Sequence, residues 1–173
     1  MYTTLKQCDA KNVLVSYYYL RTKGRRVIDK ILRDFPNVFL DSGAFTLQQQ
    51  LIKAGVPLHQ ASHAPEMDDY ITSYVDFIHE YGDAFKIVAE IDVGSWQQKT
   101  RYREVLESRI PKNVILTPVI HRSDPDTYLE YLCSNYSYVA MGGLRTGRSI
   151  AEMRKYVAKR LLIPRKHGTR IHG

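Results

Sequence analysis

The chain has 173 residues, 44% of them apolar and 25% charged, with a formal net charge of +7. That is enough chain to bury the core of one domain. No apolar run approaches the roughly 18 residues that span a membrane, and the start, Met1-Tyr2-Thr3-Thr4-Leu5-Lys6, lacks a secretory pattern, so a soluble, cytoplasmic protein is expected.

Cys8 and Cys133 lie far apart with no metal-type spacing, and are read as reduced, structural thiols. The charge is unevenly spread. From Arg145 to Gly173 there are nine basic residues against one acid, Glu152, and the rest of the chain is close to neutral. Such asymmetry points to a polyanionic partner, with nucleic acid the first candidate; the bland alternative is a solvated basic helix face.

In chain order, Val13 to Leu20 is dense in β-formers and predicts a first strand, followed by a basic loop, Arg21-Thr22-Lys23-Gly24-Arg25-Arg26. Val27, Ile28, Ile31 and Leu32 have helical spacing, ending near Pro36. Val38-Phe39-Leu40 predicts a second, buried strand that ends abruptly in Asp41-Ser42-Gly43. An Asp there has an ordinary reading as well, since it often caps its own turn. Residues 45–65 are irregular and read as a long loop or small insertion. From Pro65 to Tyr81 the residues Met67, Tyr70, Ile71, Tyr74, Val75 and Ile78 make one apolar stripe, with Pro65 at the first helical position and Gly82 as the stop.

Phe85 to Asp92 is the third predicted strand, again closing on an Asp, and a helix over 97–109 follows. Val114 to His121 is the fourth. Asp124-Pro125 then reads as a cap and first residue of a helix carrying Tyr128, Leu129 and Leu132. Tyr138 to Met141 is the fifth strand, running into Gly142-Gly143-Leu144. Ser149 and Glu152 have capping-box spacing for a helix to about Arg160, and 169–173 begins another strand.

Strand then helix, repeated about every 25 to 30 residues, predicts a parallel α/β sheet wrapped by helices. An open doubly wound sheet and a (β/α)8 TIM-type barrel both fit this pattern. No glycine-rich dinucleotide fingerprint follows the first strand, and polar residues end several strands, which favours the barrel. Five units and the start of a sixth are present, so the barrel is expected to be incomplete, closed by further polypeptide or in some reduced way. In a barrel, Asp41, Asp92, His121 and Gly142-Gly143 would share one mouth. Two carboxylates and an imidazole can grip a heterocycle and move protons, and the glycines let a flat ligand reach the backbone.

Asp41-Ser42-Gly43-Ala44-Phe45 resembles the D-S-G-G-F motif of the tRNA-guanine transglycosylase family, and Met141-Gly142-Gly143-Leu144 with Gly147 resembles its G-G-L-x-x-G segment. Ile91-Asp92 falls where that family has a purine-contacting Asp. The likeness is nearer the phage and bacterial branch that places 7-deazaguanine derivatives in DNA, which implies host cytoplasm for a phage protein. The resemblance implies a (β/α)8 barrel and exchange of guanine for a 7-deazaguanine base in nucleic acid, DNA more than RNA. Asp41 would be catalytic, moving a proton as bases are exchanged. Asp92 would accept hydrogen bonds from the purine edge. Gly142, Gly143 and Leu144 would offer backbone groups, and Ser42, Gly43 and Phe45 would complete the base site, with Phe45 stacking. His121 stands where the family usually has Gln. Arg21, Lys23, Arg25, Arg26, Arg145 and Arg148 would meet phosphates.

The family's nucleophilic Asp and its zinc ligands would lie beyond Gly173, so no cofactor is expected within this chain, and a C-terminal partner chain or a homodimer is expected to complete it. A non-catalytic subunit or decayed relative that binds nucleic acid or a deazapurine is the alternative. An unrelated α/β hydrolase lacks support, as no G-x-S-x-G elbow is present.

Overall fold

The computed structural model describes residues 2–82, 84–144 and 149–173, with the side chains of Tyr2 and Thr3 excepted. It is a mixed α/β structure with two parallel sheets. Strands β1 (Asn12–Ser16), β2 (Asn37–Asp41), β3 (Ile87–Ala89) and β4 (Ile115–Thr117) form the first, in that order; β5 (Val119–Ile120), β6 (Tyr138–Met141) and β7 (Arg170–His172) form the second. The predicted fourth strand is thus divided, and the cause is Pro118. It has no N–H to give to a ladder, and its carbonyl accepts from Ala140 N at 2.8 Å, while Thr117 O accepts from Glu90 N at 3.0 Å. The chain therefore bonds β3 before the proline and β6 after it. Strand neighbours follow sequence order throughout, without the reversal that defines a doubly wound sheet.

Helix α1 (Tyr2–Gln7) precedes β1, and α2 (Tyr17–Leu20) follows it directly. The predicted first strand is therefore too long. Tyr17 turns helical so that its ring can enter a buried aromatic cluster, 5.1 Å from Tyr70, 5.0 Å from Tyr74 and 5.2 Å from Phe77, and tertiary packing overrides β-propensity there. After α3 (Arg25–Asp34), the stretch read as a loop contains α4 (Ala44–Lys53) and α5 (Leu58–Ala61). Leu47 is buried and Leu51 half-buried against the main core, a narrower apolar face than the sequence reading sought.

Helix α6 (Pro65–Tyr81) matches its predicted bounds, with Pro65 at the start, Glu66 and Asp68 in the first turn, and the whole predicted stripe buried. It supports the sheet from outside: Tyr74 Oη donates to Ala89 O at 3.0 Å, and Tyr70 Oη to Ser42 O at 2.6 Å. Each fully buried aromatic of this kind contributes about 1.5–3 kcal/mol by removal from water. Helix α7 (Trp96–Arg109) is capped by Ser95. Helix α8 (Asp126–Asn135) has Pro125, not Asp124, at its N-cap. The Asp124 carboxylate is committed elsewhere, as the site shows. Helix α9 (Ile150–Arg160) carries the predicted capping box, and α10 (Leu162–His167) leads into β7.

A second apolar cluster, with Ile120, Leu129, Leu132 and Val139, lies under β5–β7. On the other face Phe39 packs with Ala89, Val119 and Ala140, and its ring stacks on the His172 imidazole at 5.0 Å. The β2 and β7 faces thus approach one another, and the strand set curls. No helix of the described residues is long and apolar enough to cross a membrane. Cys8 is exposed and Cys133 buried, both as free thiols.

Candidate functional site

At the C-terminal ends of the strands lies a cavity of about 770 Å³ lined by Phe45, Asp92, His121, Arg122, Ser123, Gly143 and Leu144. Residues from the ends of β2, β3, β5 and β6 therefore converge. His121 Nε2 is 3.2 Å from Asp92 Oδ2, with both side chains about one-fifth to one-quarter exposed. Gly142 explains how the ring fits: a Cβ there would come within 2.7 Å of the His121 imidazole and 2.9 Å of Val119. This glycine is a floor for His121, while Gly143, at φ +71°, faces open space in the cavity wall.

Asp41 lies outside that lining, half-buried at the end of β2. Its Oδ2 accepts from Gly43 N at 3.1 Å, so it does cap its own turn. Burial, reinforced by the charge of Asp92, pushes its carboxyl up to about 6; the Ser16 hydroxyl and the Gly43 N–H pull the other way. The Ser16 hydroxyl is close enough to favour the charged form, yet its Oγ meets no partner at hydrogen-bond geometry. Tyr74, fully buried between the two strands, has its phenol pushed upward by burial first and by Asp41 and Asp92 as well. The two carboxylates thus share one electrostatic neighbourhood.

Ser42 is fully buried; its Oγ accepts from Ala44 N at 3.4 Å and opens α4. Gly43, at φ +68°, carries the turn into α4, and a Cβ there would lie 2.4 Å from Ser16 Oγ. Both are structural parts of the turn, whereas Phe45, one turn on, is 57% exposed at the cavity rim.

Sequence reasoning missed what holds His121 in place. Lys99 on α7 is fully buried; its Nζ donates to Val119 O at 2.9 Å and pairs with Asp124 Oδ2. The same Asp124 oxygen accepts from His121 N at 2.6 Å. From α9, Arg160 donates to His121 O at 3.0 Å and to the Asp124 carbonyl, and binds Asp126 Oδ1 at 2.8 Å. Beneath Asp92, Glu90 accepts from Arg103 at 3.0 Å and from Val119 N at 2.6 Å. Burial pushes the Glu90 carboxyl up, yet both its oxygens receive N–H donors, and its charge holds Arg103 protonated; the geometry is that of an ionised pair. Lys99 and Arg103 sit four apart on one face of α7, which is the signal that could have found them: two cations on the buried side of a helix.

Comparison with models of protein families, with curated proteins and with solved structures gives no match. The site's reading rests on its chemistry.

Of the basic residues, Arg21 lies over the rings of Tyr18, at 4.7 Å, and Tyr70, at 5.2 Å. Arg25 pairs with Asp29 at 3.9 Å and Glu80 at 3.8 Å. Lys23 and Arg26 are exposed without an ion pair to any described residue. Arg145 and Arg148 lie outside the described residues. Arg122, at the cavity wall and 5.1 Å from the Tyr156 ring, is a cation the sequence reading did not assign. Among the described residues no three His, Cys, Asp or Glu side chains gather as a metal site requires.

Proposed function

We propose that the cavity binds a guanine-type base, and that the chain is a transglycosylase-like protein acting on nucleic acid. The observation that carries this is the joint placement of Asp92, His121, Phe45 and Gly143 around one hollow. A purine's pairing edge presents adjacent N–H donors, and a partly buried carboxylate with one oxygen held by His121 keeps its other oxygen for them. Phe45 supplies a face to stack on. Asp41, with its carboxyl near 6, is half-protonated near pH 6 and mostly a carboxylate base at neutrality, which suits proton exchange with the base. A 7-deazaguanine derivative is the incoming base, and DNA is favoured over RNA as its destination.

The fold we propose is a (β/α)8-type barrel in part. The strands run parallel and in sequence order, as a barrel requires. Counting β4 and β5 as one, six lie among the described residues, and closure at eight would draw two more from further polypeptide, such as a partner chain or a second copy. Phosphates would be met by Lys23, Arg26 and Arg122, with Arg145 and Arg148 added. Displacement of a base also needs a nucleophile at the sugar, and Asp92 is the carboxylate in the described cavity lining. This favours a second reading, base binding without turnover by this chain alone.

The test is incorporation of labelled guanine or 7-deazaguanine into guanine-containing DNA and RNA oligonucleotides, beside direct binding of the free base. Incorporation that vanishes in Asp41→Asn supports the enzyme. Binding without incorporation supports the second reading, and neither result would end the proposal.

A further inference from the structure

On the face of β1 and β2 turned away from the main core, Ser16 and Asp41 are register partners in the parallel ladder, as Leu14 and Phe39 are two residues earlier. Their side chains therefore stand beside one another where the strands end. The Ser16 Oγ is buried and makes no hydrogen bond to any described residue. A buried hydroxyl without a partner is costly, and native structures seldom keep one without a use. Gly43, at φ +68°, closes over it. A Cβ there would lie 2.4 Å from Ser16 Oγ and 2.5 Å from Tyr18 Cβ, so the turn settles on the hydroxyl only because residue 43 has no side chain.

The carboxylate beside it is short of donors. Gly43 N, 3.1 Å from Oδ2, is its hydrogen-bond donor among the described residues. The nearby phenols are committed elsewhere, Tyr70 Oη to Ser42 O at 2.6 Å and Tyr74 Oη to Ala89 O at 3.0 Å. Burial, before any other cause, pushes both phenols up, so they stay neutral while Asp41 titrates. Arg21, Tyr17 and Tyr18 pack against Tyr70. From beyond β3, Asp92 adds its charge, with His121 as its own partner.

We infer that Ser16 is a positioning residue whose hydroxyl shares the exchangeable proton of Asp41. A serine hydroxyl can both donate and accept. It donates to the carboxylate when Asp41 is ionised and accepts from the acid when Asp41 is protonated, and a turn of the Ser16 side chain completes either bond. The bond to the charged form is the stronger. Ser16 therefore holds the Asp41 carboxyl below the level that burial beside Asp92 would set. The inference rests on the reading of Asp41 as the group that exchanges a proton with the base; the Ser16 oxygen is itself buried and out of a base's reach.

Carboxyl ¹³C NMR titration of the full chain tests this, with the Asp41 resonance identified by its absence from Asp41→Asn. Ser16→Ala should raise the Asp41 midpoint by about half a pH unit to one pH unit. Ser16→Thr keeps the hydroxyl, on a strand that suits β-branching, and should return the midpoint to its wild-type position. The inference is overturned if Ser16→Ala leaves the midpoint where it was, or if Ser16→Thr moves it as far as Ser16→Ala does. Should Ser16→Thr fail to fold, Ser16→Ala decides. Adding 7-deazaguanine to the same samples keeps the two readings apart. A displaced midpoint with no response to the base would sustain the Ser16–Asp41 pair and overturn the base reading. Base binding with an unmoved midpoint would overturn the pair alone.

Discussion

Asp41 is where burial and function meet. Its folded carboxyl, raised to about 6, binds a proton more tightly than it does in the unfolded chain, where its ordinary value is 3.8. The folded state is therefore favoured at low pH, and that advantage is lost as pH rises from about 4 through about 6. Two units correspond to roughly 2–3 kcal/mol. Asp41→Asn should flatten stability over this pH window and leave the protein about 2 kcal/mol more stable at pH 7, as read by urea midpoints. An unchanged pH slope would show that Asp41 ionises freely. The Lys99–Asp124 pair makes the opposite demand, because removing one member leaves a buried charge. Lys99→Met should cost about 3–5 kcal/mol, and in chains that still fold should broaden the His121 ring resonances by releasing its anchor.

At the scale of elements, strand-to-helix turns decide where the site residues go. Gly43→Ala puts a Cβ on Ser16 and Tyr18 in a left-handed turn, so it should destabilise by more than about 1 kcal/mol; calorimetric melting checks it, and a neutral change would mean the turn has another conformation. The long, strongly periodic elements were legible in the sequence: α6, the Ser149 cap of α9, β6 and the strand end at Asp41; the strand read over Phe85 to Asp92 is shorter, Ile87–Ala89, and Asp92 stands three residues past its end. Three features were not. Tyr17 to Leu20 carry β-formers that a buried aromatic cluster converts to helix. α4 and α5 show a narrow apolar face that a periodicity test passes over. Pro118 interrupts a strand whose apolar pattern runs on through it. The site was legible as a list of tips, yet Lys99 and Arg160 reach it by pairings across 20 to 39 residues, which no local pattern contains.

For the whole molecule, parallel strands in sequence order bring four strand ends to one mouth, and the basic segment runs from the end of α2 into α3, whose first turn takes in Arg25 and Arg26, so the loop read over Arg21 to Arg26 ends at Gly24. Lys23→Ala with Arg26→Ala should lower affinity for nucleic acid and reduce the slope of log K against log salt by about 1 to 2. Arg25→Ala should change it less, as Asp29 and Glu80 already partner Arg25. Equal effects from the two would move that loop away from the phosphate backbone.

The proposed hollow at those strand ends is shaped for a guanine-type base, and calorimetric titration with 7-deazaguanine tests that directly. Saturable binding at one site per chain is expected, weakened at least about tenfold in Asp92→Asn, where one oxygen of the carboxylate becomes a donor. Heat indistinguishable from dilution in the wild-type chain, or equal affinity in the folded Asp92→Asn variant, would contradict it.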